Sequence, residues 1–441
     1  MTNPIIVAPA TALGGAIAVI RMSGEGSVAL CNRIFKGRKS LLDVKSHTIH
    51  YGTICDGERV VDDVVVAVFR APHSYTGEES VEISIHGSRY IASEVIRLLC
   101  GQGARMAEAG EFSQRALAAG RIDLSQAEAV ADLIAAESRA AHAVAATQMR
   151  GGYSALLDEL RDELLNITSL LELELDFSEE DVEFADREKL RSMLEKTDAA
   201  VVRLMESFRV GNAIREGVAV AIVGRPNVGK STLLNRLVGD DRAMVSEIAG
   251  TTRDTIEESV VIDDISFRFV DTAGLHDTDD RLEKMGIERT ERAIRQAQVV
   301  LCMTEPSQET VNLPMLAEGQ TLLLVVNKMD MTDKRDCEGA IYISAREGEG
   351  IDTLRKALRD TVDTEGLYRG EVVVSNMRHF EALSRAHNSL KDALQALGNG
   401  VSEELLAEDI RTAINALAEI TGRITSDDIL KNVFANFCIG K

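Results

Sequence analysis

The period of the apolar positions changes along the chain. From Ile5 to about Ala118, three segments have strand character, GAIAVIRMSG, VVDDVVVAVFRAP and ESVEISIHGS, and the last alternates with period two. A helical pattern follows from Arg89 to Cys100, so this part reads as a small α/β module. Between Asp123 and Arg215 apolar residues recur three and four apart, as at Leu156, Leu157, Leu160, Leu164 and Ile167, which predicts long helices. Breaks fall near Gly151-Gly152 and at the acidic stretch DFSEED, which is either a metal site or a solvated turn. The same helical character returns over Asn376–Leu397 and Ser402–Asn436. Between these helical stretches, VAVAIVG, SVVID, ISFRFVDTAG, QVVLCMTE, TLLLVVNKMD and AIYISA read as strands separated by helices, SVVID and ISFRFVDTAG as a hairpin pair. That order predicts a mostly parallel sheet covered on both faces, with ligands at the carboxyl ends of its strands. Insertion of this α/β domain at a surface turn of one helical domain is the simplest architecture. The boundaries are 1–118, 119–215, 216–372 and 373–441.

Composition narrows the class. The 441 residues are 45% hydrophobic and 27% charged with 4% aromatics, which suits a soluble, helix-rich multidomain chain. A formal net charge of -22 argues against binding nucleic acid through bulk electrostatics and leaves room only for a local basic face. No apolar run reaches the ~18 residues of a membrane span, and Met1–Ser27 lacks the pattern of a signal peptide, so no membrane and a cytoplasmic location are expected. Six scattered cysteines without CxxC spacing suggest neither a zinc site nor a disulfide framework.

The strongest chemical signal is GRPNVGKS, Gly224 to Ser231, between an apolar strand and a helix carrying Leu233, Leu234 and Leu237. In that context GxxxxGKS is a P-loop: its glycines let backbone amides converge on phosphate oxygens at a helix N-terminus, Lys230 reaches the β/γ-phosphates and Ser231 offers a hydroxyl to Mg²⁺. The candidate nucleotide contacts there are Asn227, Val228, Gly229, Lys230, Ser231 and Thr232. Next comes the polar loop Ser246, Glu247, Ile248, Ala249, Gly250, Thr251 and Thr252, where Thr252 is the candidate to join Ser231 on Mg²⁺ and close over the γ-phosphate. In Asp271, Thr272, Ala273 and Gly274, the aspartate suits a hold on the metal and the glycine amide the γ-phosphate. Asn327, Lys328 and Asp330 end another strand. Asp330 can accept hydrogen bonds from the N1–H and 2-amino group of guanine, a donor pair that adenine lacks. Ser344, Ala345 and Arg346 offer a backbone amide to the guanine O6. Four such motifs in this order at strand ends predict GTP binding.

Hydrolysis needs a further group. Leu275 follows DTAG where small GTPases place a water-orienting glutamine, leaving His276 and Glu283 as the nearest candidates, or both as residents of a solvated switch helix. Charge stabilisation calls for an arginine or a monovalent ion.

Together, GRPNVGKS, SEIAGTTRD, DTAGL with GIERT, NKMD, SYTGEESVEISIHG, AGEFSQRALAAGRIDLSQAEAVADLI and a terminal CIGK resemble the MnmE (TrmE) family of tRNA-modification GTPases over essentially the whole chain. The resemblance implies an α/β multidomain protein: a small α/β N-terminal folate-binding and dimerising domain, a discontinuous α-helical domain, and an inserted Ras-like P-loop GTPase domain. It implies a homodimer that works with the flavoprotein MnmG, as a heterotetramer, to build a carboxymethylaminomethyl or aminomethyl group at C5 of the tRNA wobble uridine. The one-carbon unit would come from 5-formyltetrahydrofolate or a related tetrahydrofolate. It further implies K⁺ held by Asn227, Ser246, Ile248 and Thr251 in place of an arginine finger, and a hydrolytic role for Glu283. Arg253 and Asp254 follow the family pattern as switch residues. Folate contacts carry over to Arg21, Glu82, Arg121 and Lys441, a set with physical sense because a pterin edge suits a carboxylate and a glutamate tail suits arginine. Cys438 in CIGK is either a reactive thiol near the folate or a structural one. The chain departs from the family at APATALGGA, where PPGRGA-like starts are common, at His276, and at Ser246-Glu247. A different class, a ribosome- or RNA-associated GTP-dependent binding switch, would share the GTPase motifs and lack the folate site.

Overall fold

The computed structural model describes residues 3–176, 187–242, 258–270, 283–306, 313–332, 337–362, 371–399, 401–435, 437 and 440. The chain divides into two compact units, residues 1–131 with 418–441, and residues 132–417.

In the first unit, strands β1 (Ile6–Pro9), β2 (Ile17–Ser23), β3 (Phe35–Gly37), β4 (Thr48–Asp56), β5 (Arg59–Phe69), β6 (Ser80–His86) and β7 (Arg105–Met106) form one sheet. Its order is β3-β4-β5-β6-β2-β1-β7. All pairs are antiparallel except β1 with β7. The two-residue period sends Ile20 and Met22, Val64, Val66 and Val68, and Val81, Ile83 and Ile85 to one face, where they share a core with Val28 and Cys31 of helix Ser27–Ile34 and Val95 and Leu99 of helix Arg89–Gly101. The opposite register carries Arg21, Glu82 and Ala67 side by side across three strands. Helix Asp427–Ala435 brings Phe434, with Phe437 beyond it, against Leu124 and Ala127. The C-terminal segment thus belongs to the unit that begins the chain.

In the second unit, β8 (Val218–Gly224), β9 (Glu258–Ile262), β10 (Ile265–Phe269), β11 (Val299–Thr304), β12 (Thr321–Val326) and β13 (Ile341–Tyr342) form a sheet ordered β13-β12-β11-β8-β10-β9. Only β9 runs antiparallel, as the hairpin partner of β10. Alternation along β8 puts Val218 and Val220 in a core with Leu233, Leu234 and Leu237 of helix Lys230–Arg242. Ala219, Ala221 and Val223 meet Ala293 and Ala297 on the other face. Helices therefore cover both faces, and β8 lies at the point where the strand order reverses, the place where open α/β sheets bind ligands.

The long helices of this unit are Gly152–Asp176, Arg187–Glu216, Met377–Asn399 and Glu403–Thr421, the last running into the first unit. Leu157, Leu160, Leu164 and Ile167 are buried, as their spacing predicts. Met377–Asn399 packs along Arg187–Glu216, where His387 Nδ1 lies 2.6 Å from Asp198 Oδ1. The break at 150–151 is present, while DFSEED from Phe177 onward lies outside the described residues. Among the described residues, no helix is long and apolar enough to cross a membrane. Cys31, Cys55, Cys100, Cys302 and Cys337 are unbridged, and burial pushes the Cys31 thiol up to about 12, so it is inert.

Candidate functional site

The P-loop leaves β8 at Gly224 and enters helix Lys230–Arg242. Glycine is required at both ends of the turn. At Gly224 (φ +151°) a Cβ would lie 2.4 Å from the Met303 carbonyl oxygen, and at Gly229 (φ +101°) it would lie 2.2 Å from Asn327 Nδ2. Asn227 takes φ +62°, a left-handed conformation that asparagine tolerates, and is exposed at the tip of the loop. Val228 is buried beneath it. Lys230 folds back so that Nζ donates to the carbonyls of Gly224 (2.9 Å) and Arg225 (3.0 Å). Desolvation lowers its pKa from the ordinary lysine range. The ammonium is thus held at the mouth of the amide cradle by neutral acceptors that a phosphate can outcompete. Ser231 and Thr232 form the first turn of the helix, whose N-terminus favours an anion.

The base loop is tied to this cradle by one side chain. Asn327, at the end of β12 and buried, donates from Nδ2 to the Val228 carbonyl (2.8 Å) and accepts at Oδ1 from the Ala345 amide (2.9 Å). Lys328 is left-handed (φ +68°) and reaches Glu305 Oε1 at 2.5 Å. The buried Ser344 hydroxyl donates to Asp330 Oδ1 (2.7 Å) and accepts from the Glu347 amide (3.2 Å). Arg346 is exposed. The arrangement fixes one oxygen of Asp330 and leaves the carboxylate at a strand end, where it can accept the donor edge of a purine. Glu305, which directs Lys328, was not singled out from the sequence. A charged residue one position past the β11 run is its only signal there.

The remaining nucleotide candidates, Ser246–Thr252 and Asp271–Gly274, lie outside the described residues, as do Arg253, Asp254, His276, Cys438 and Lys441. Glu283 begins helix Glu283–Gln296, with its side chain outside the description. Among the described residues no group of three His, Cys, Asp or Glu side chains could hold a metal. The oxygen-bearing side chains of the loop, the Asn227 carboxamide and the Ser231 hydroxyl, are of the chemical kind that hard cations such as Mg²⁺ take.

In the first unit, β2 and β6 place Arg21 directly opposite Glu82. Arg21 Nε and Nη2 both reach Glu82 Oε1, at 2.9 and 2.8 Å, and Nη1 donates to the Gly440 carbonyl at 3.4 Å. The guanidinium lies 5.8 Å from the ring centres of both Tyr75 and Phe112, and the Tyr75 hydroxyl is 2.8 Å from Ser113 Oγ. Arg121 is exposed beside Gly77, where a Cβ would come within 3.5 Å of its Cγ. Arg21, Glu82 and Gly440 are therefore brought together, and Arg121, just past helix Glu111–Ala118, lies against Gly77 of the turn that follows Tyr75. The aromatic pair Tyr75 and Phe112 is the part of this site that sequence reasoning missed. Any ligand edge that grips Glu82 shares the carboxylate with Arg21.

A glycine-constrained phosphate loop at a sheet switch point, tied by Asn327 to a base loop ending in an aspartate, defines a P-loop guanine-nucleotide-binding protein. Comparison with known proteins makes this narrower. The family model "GTP-binding protein TrmE N-terminus" matches residues 5–121 and "MnmE helical domain" matches residues 124–438. Proteins named tRNA modification GTPase MnmE are similar over their full length. The one from Bacteroides thetaiotaomicron is 46% identical over 465 residues, covering 100% of both chains. That from Flavobacterium johnsoniae is 47% identical with 99% of each chain covered, and that from Christiangramia forsetii is 46% identical with 100% of this chain and 99% of the other covered. The chain belongs to the tRNA modification GTPase MnmE family, and is a GTP hydrolase of that family.

Proposed function

We propose that this protein is a K⁺-stimulated, dimeric GTPase that acts on tRNA in the cytoplasm, with MnmG, to install a carboxymethylaminomethyl or aminomethyl group at C5 of the wobble uridine. The observation that best supports the reading is the meeting of Arg21, Glu82 and Gly440, residues from three distant parts of the chain, with the Arg21 guanidinium beside two aromatic rings. A tetrahydrofolate fits this chemistry: a flat heterocycle to lie by Tyr75 and Phe112, an amidine-like edge for Glu82, and a carboxylate tail for Arg121, with Lys441 next to Gly440 as a further cation. The three-part organisation, with the GTPase domain at 216–372 inserted in a helical domain, is part of the same reading. When bound, the folate supplies a one-carbon unit. This chain binds and orients it. At the nucleotide site Lys230 would leave the Gly224 and Arg225 carbonyls for the β/γ-phosphates, Ser231 and Thr252 would hold Mg²⁺, and Asp271 and Gly274 would face the metal and γ-phosphate. Asn227, Ser246, Ile248 and Thr251 would hold K⁺, and Glu283 would orient the attacking water.

Titration calorimetry with 5-formyltetrahydrofolate tests the first half. The wild-type chain is expected to bind, and Glu82→Ala and Arg121→Ala each to weaken binding about tenfold or more, the value of one charge-assisted hydrogen bond of ~1.5–3 kcal/mol. Absence of binding by the wild type would sink the folate reading. GTP turnover in K⁺ against Na⁺ tests the second. Turnover is expected to be faster in K⁺, and equal rates would remove the ion from the mechanism.

A further inference from the structure

The molecule carries 49 Lys and Arg against 71 Asp and Glu, yet the 18 residues 33–50 hold Arg33, Lys36, Arg38, Lys39 and Lys45 against the single acid Asp43. All five cations are exposed, and none is ion-paired with a described residue. The segment is held in shape. Asn32 Oδ1 accepts from the Leu41 amide (2.8 Å) and the Ser40 hydroxyl (3.2 Å), folding the 38–41 turn onto the end of the helix that carries Arg33. Arg70 donates to the carbonyls of Leu41 (3.2 Å), Leu42 (3.0 Å) and Val44 (3.3 Å), which fixes the stretch leading to Lys45. Lys36 sits on β3, one of the two edge strands of the seven-stranded sheet. The result is a cationic lobe on an acidic protein, with a main chain already held in shape before a polyanion arrives.

We propose that this lobe, Arg33, Lys36, Arg38, Lys39 and Lys45, is the surface through which the protein meets the phosphate backbone of its RNA. The inference rests on the reading that the substrate is tRNA. An acidic molecule repels RNA at long range, so contact has to be concentrated where the local sign reverses, and an excess of four positive charges within one ordered lobe is such a place. Phosphate contact of this kind positions the RNA without reading its sequence, which leaves base selection to other elements.

Lysine on an edge strand also discourages edge-to-edge pairing, and the experiment separates the two roles. Binding of an unmodified tRNA transcript to the full chain is followed by fluorescence anisotropy over a range of KCl concentrations, for the wild type and for the triple variant Lys36→Gln, Arg38→Gln, Lys39→Gln. The expected result is affinity about tenfold lower at low salt and a log–log salt slope reduced by about one for each cation removed. The thermal unfolding curve followed by circular dichroism and GTP hydrolysis without tRNA should both be unchanged, showing that both units remain folded. The pair Arg33→Gln, Lys45→Gln should act in the same direction. An unchanged slope and affinity would overturn the proposal, as would a variant that aggregates while its soluble fraction binds tRNA normally. No tRNA binding by the wild-type chain would overturn it too, while the folate and K⁺ measurements decide the wider reading independently.

Discussion

Replacing Asp330 with asparagine is expected to turn a GTP site into one that prefers xanthosine triphosphate. The Ser344 hydroxyl decides which way the new amide faces. Its oxygen accepts from the Glu347 amide and so donates its proton to Asp330 Oδ1 at 2.7 Å. In the Asp330→Asn variant that proton needs an acceptor, so the amide oxygen takes the Oδ1 place and the NH₂ turns towards the base. Guanine presents donors at N1 and at the 2-amino group, and a donor facing donors loses both hydrogen bonds and leaves them buried and unpaired. Two charge-assisted bonds of ~1.5–3 kcal/mol each correspond to a loss of about 10²- to 10⁴-fold in GTP affinity. Xanthine carries a carbonyl at C2 in place of the amino group and can accept from the new NH₂. Hydrolysis rates for GTP and XTP measured side by side should cross over. A variant that keeps the wild-type preference would show that Asp330 does not read the base.

How much of this was legible in the sequence depended on how local each device is. GRPNVGKS and NKMD declare themselves because backbone turns, glycine placement and strand-end position are properties of a few consecutive residues. The β9–β10 hairpin was equally readable, since its turn and both arms lie within Glu258–Phe269. What joins those segments was not readable. Glu305 and Lys328 meet only because β11 and β12 are parallel neighbours in register, Met303 opposite Val325 and Thr304 opposite Val326. Arg21 and Glu82 were each assigned to a ligand, and antiparallel pairing of β2 with β6 makes them partners of each other first. The period of 402–436 gave helices without telling which surface they cover. Phe434 and Phe437 settle on Leu124 and Ala127, a choice made by complementary shape between segments about 300 residues apart, which no periodicity encodes.

Asn327→Ala should damage the stability of the second unit and its nucleotide binding together. The side chain is 3% exposed and makes its two hydrogen bonds to main-chain groups of residues 228 and 345, which are themselves buried. Truncation strips the Val228 carbonyl and the Ala345 amide of their partner in a place water does not reach. Each unmet group costs about 1–3 kcal/mol, so the expected loss for the two is about 2–6 kcal/mol. Asn327→Asp should be no milder. It keeps an acceptor for Ala345, but sets a charged oxygen against the Val228 carbonyl and gives up the donor. Asp330→Asn, by contrast, preserves the acceptor for Ser344 and should leave stability near wild type, so the two variants separate base recognition from loop assembly. Urea denaturation followed with and without GDP measures the total. Deuterium uptake in peptides covering residues 225–230 and 343–346 locates it, since both loops should exchange faster in Asn327→Ala and neither in Asp330→Asn. Wild-type protection of both loops in Asn327→Ala would mean that they are held by the sheet alone. The phosphate loop would then owe its shape to Gly224 and Gly229 and nothing to the base loop beside it.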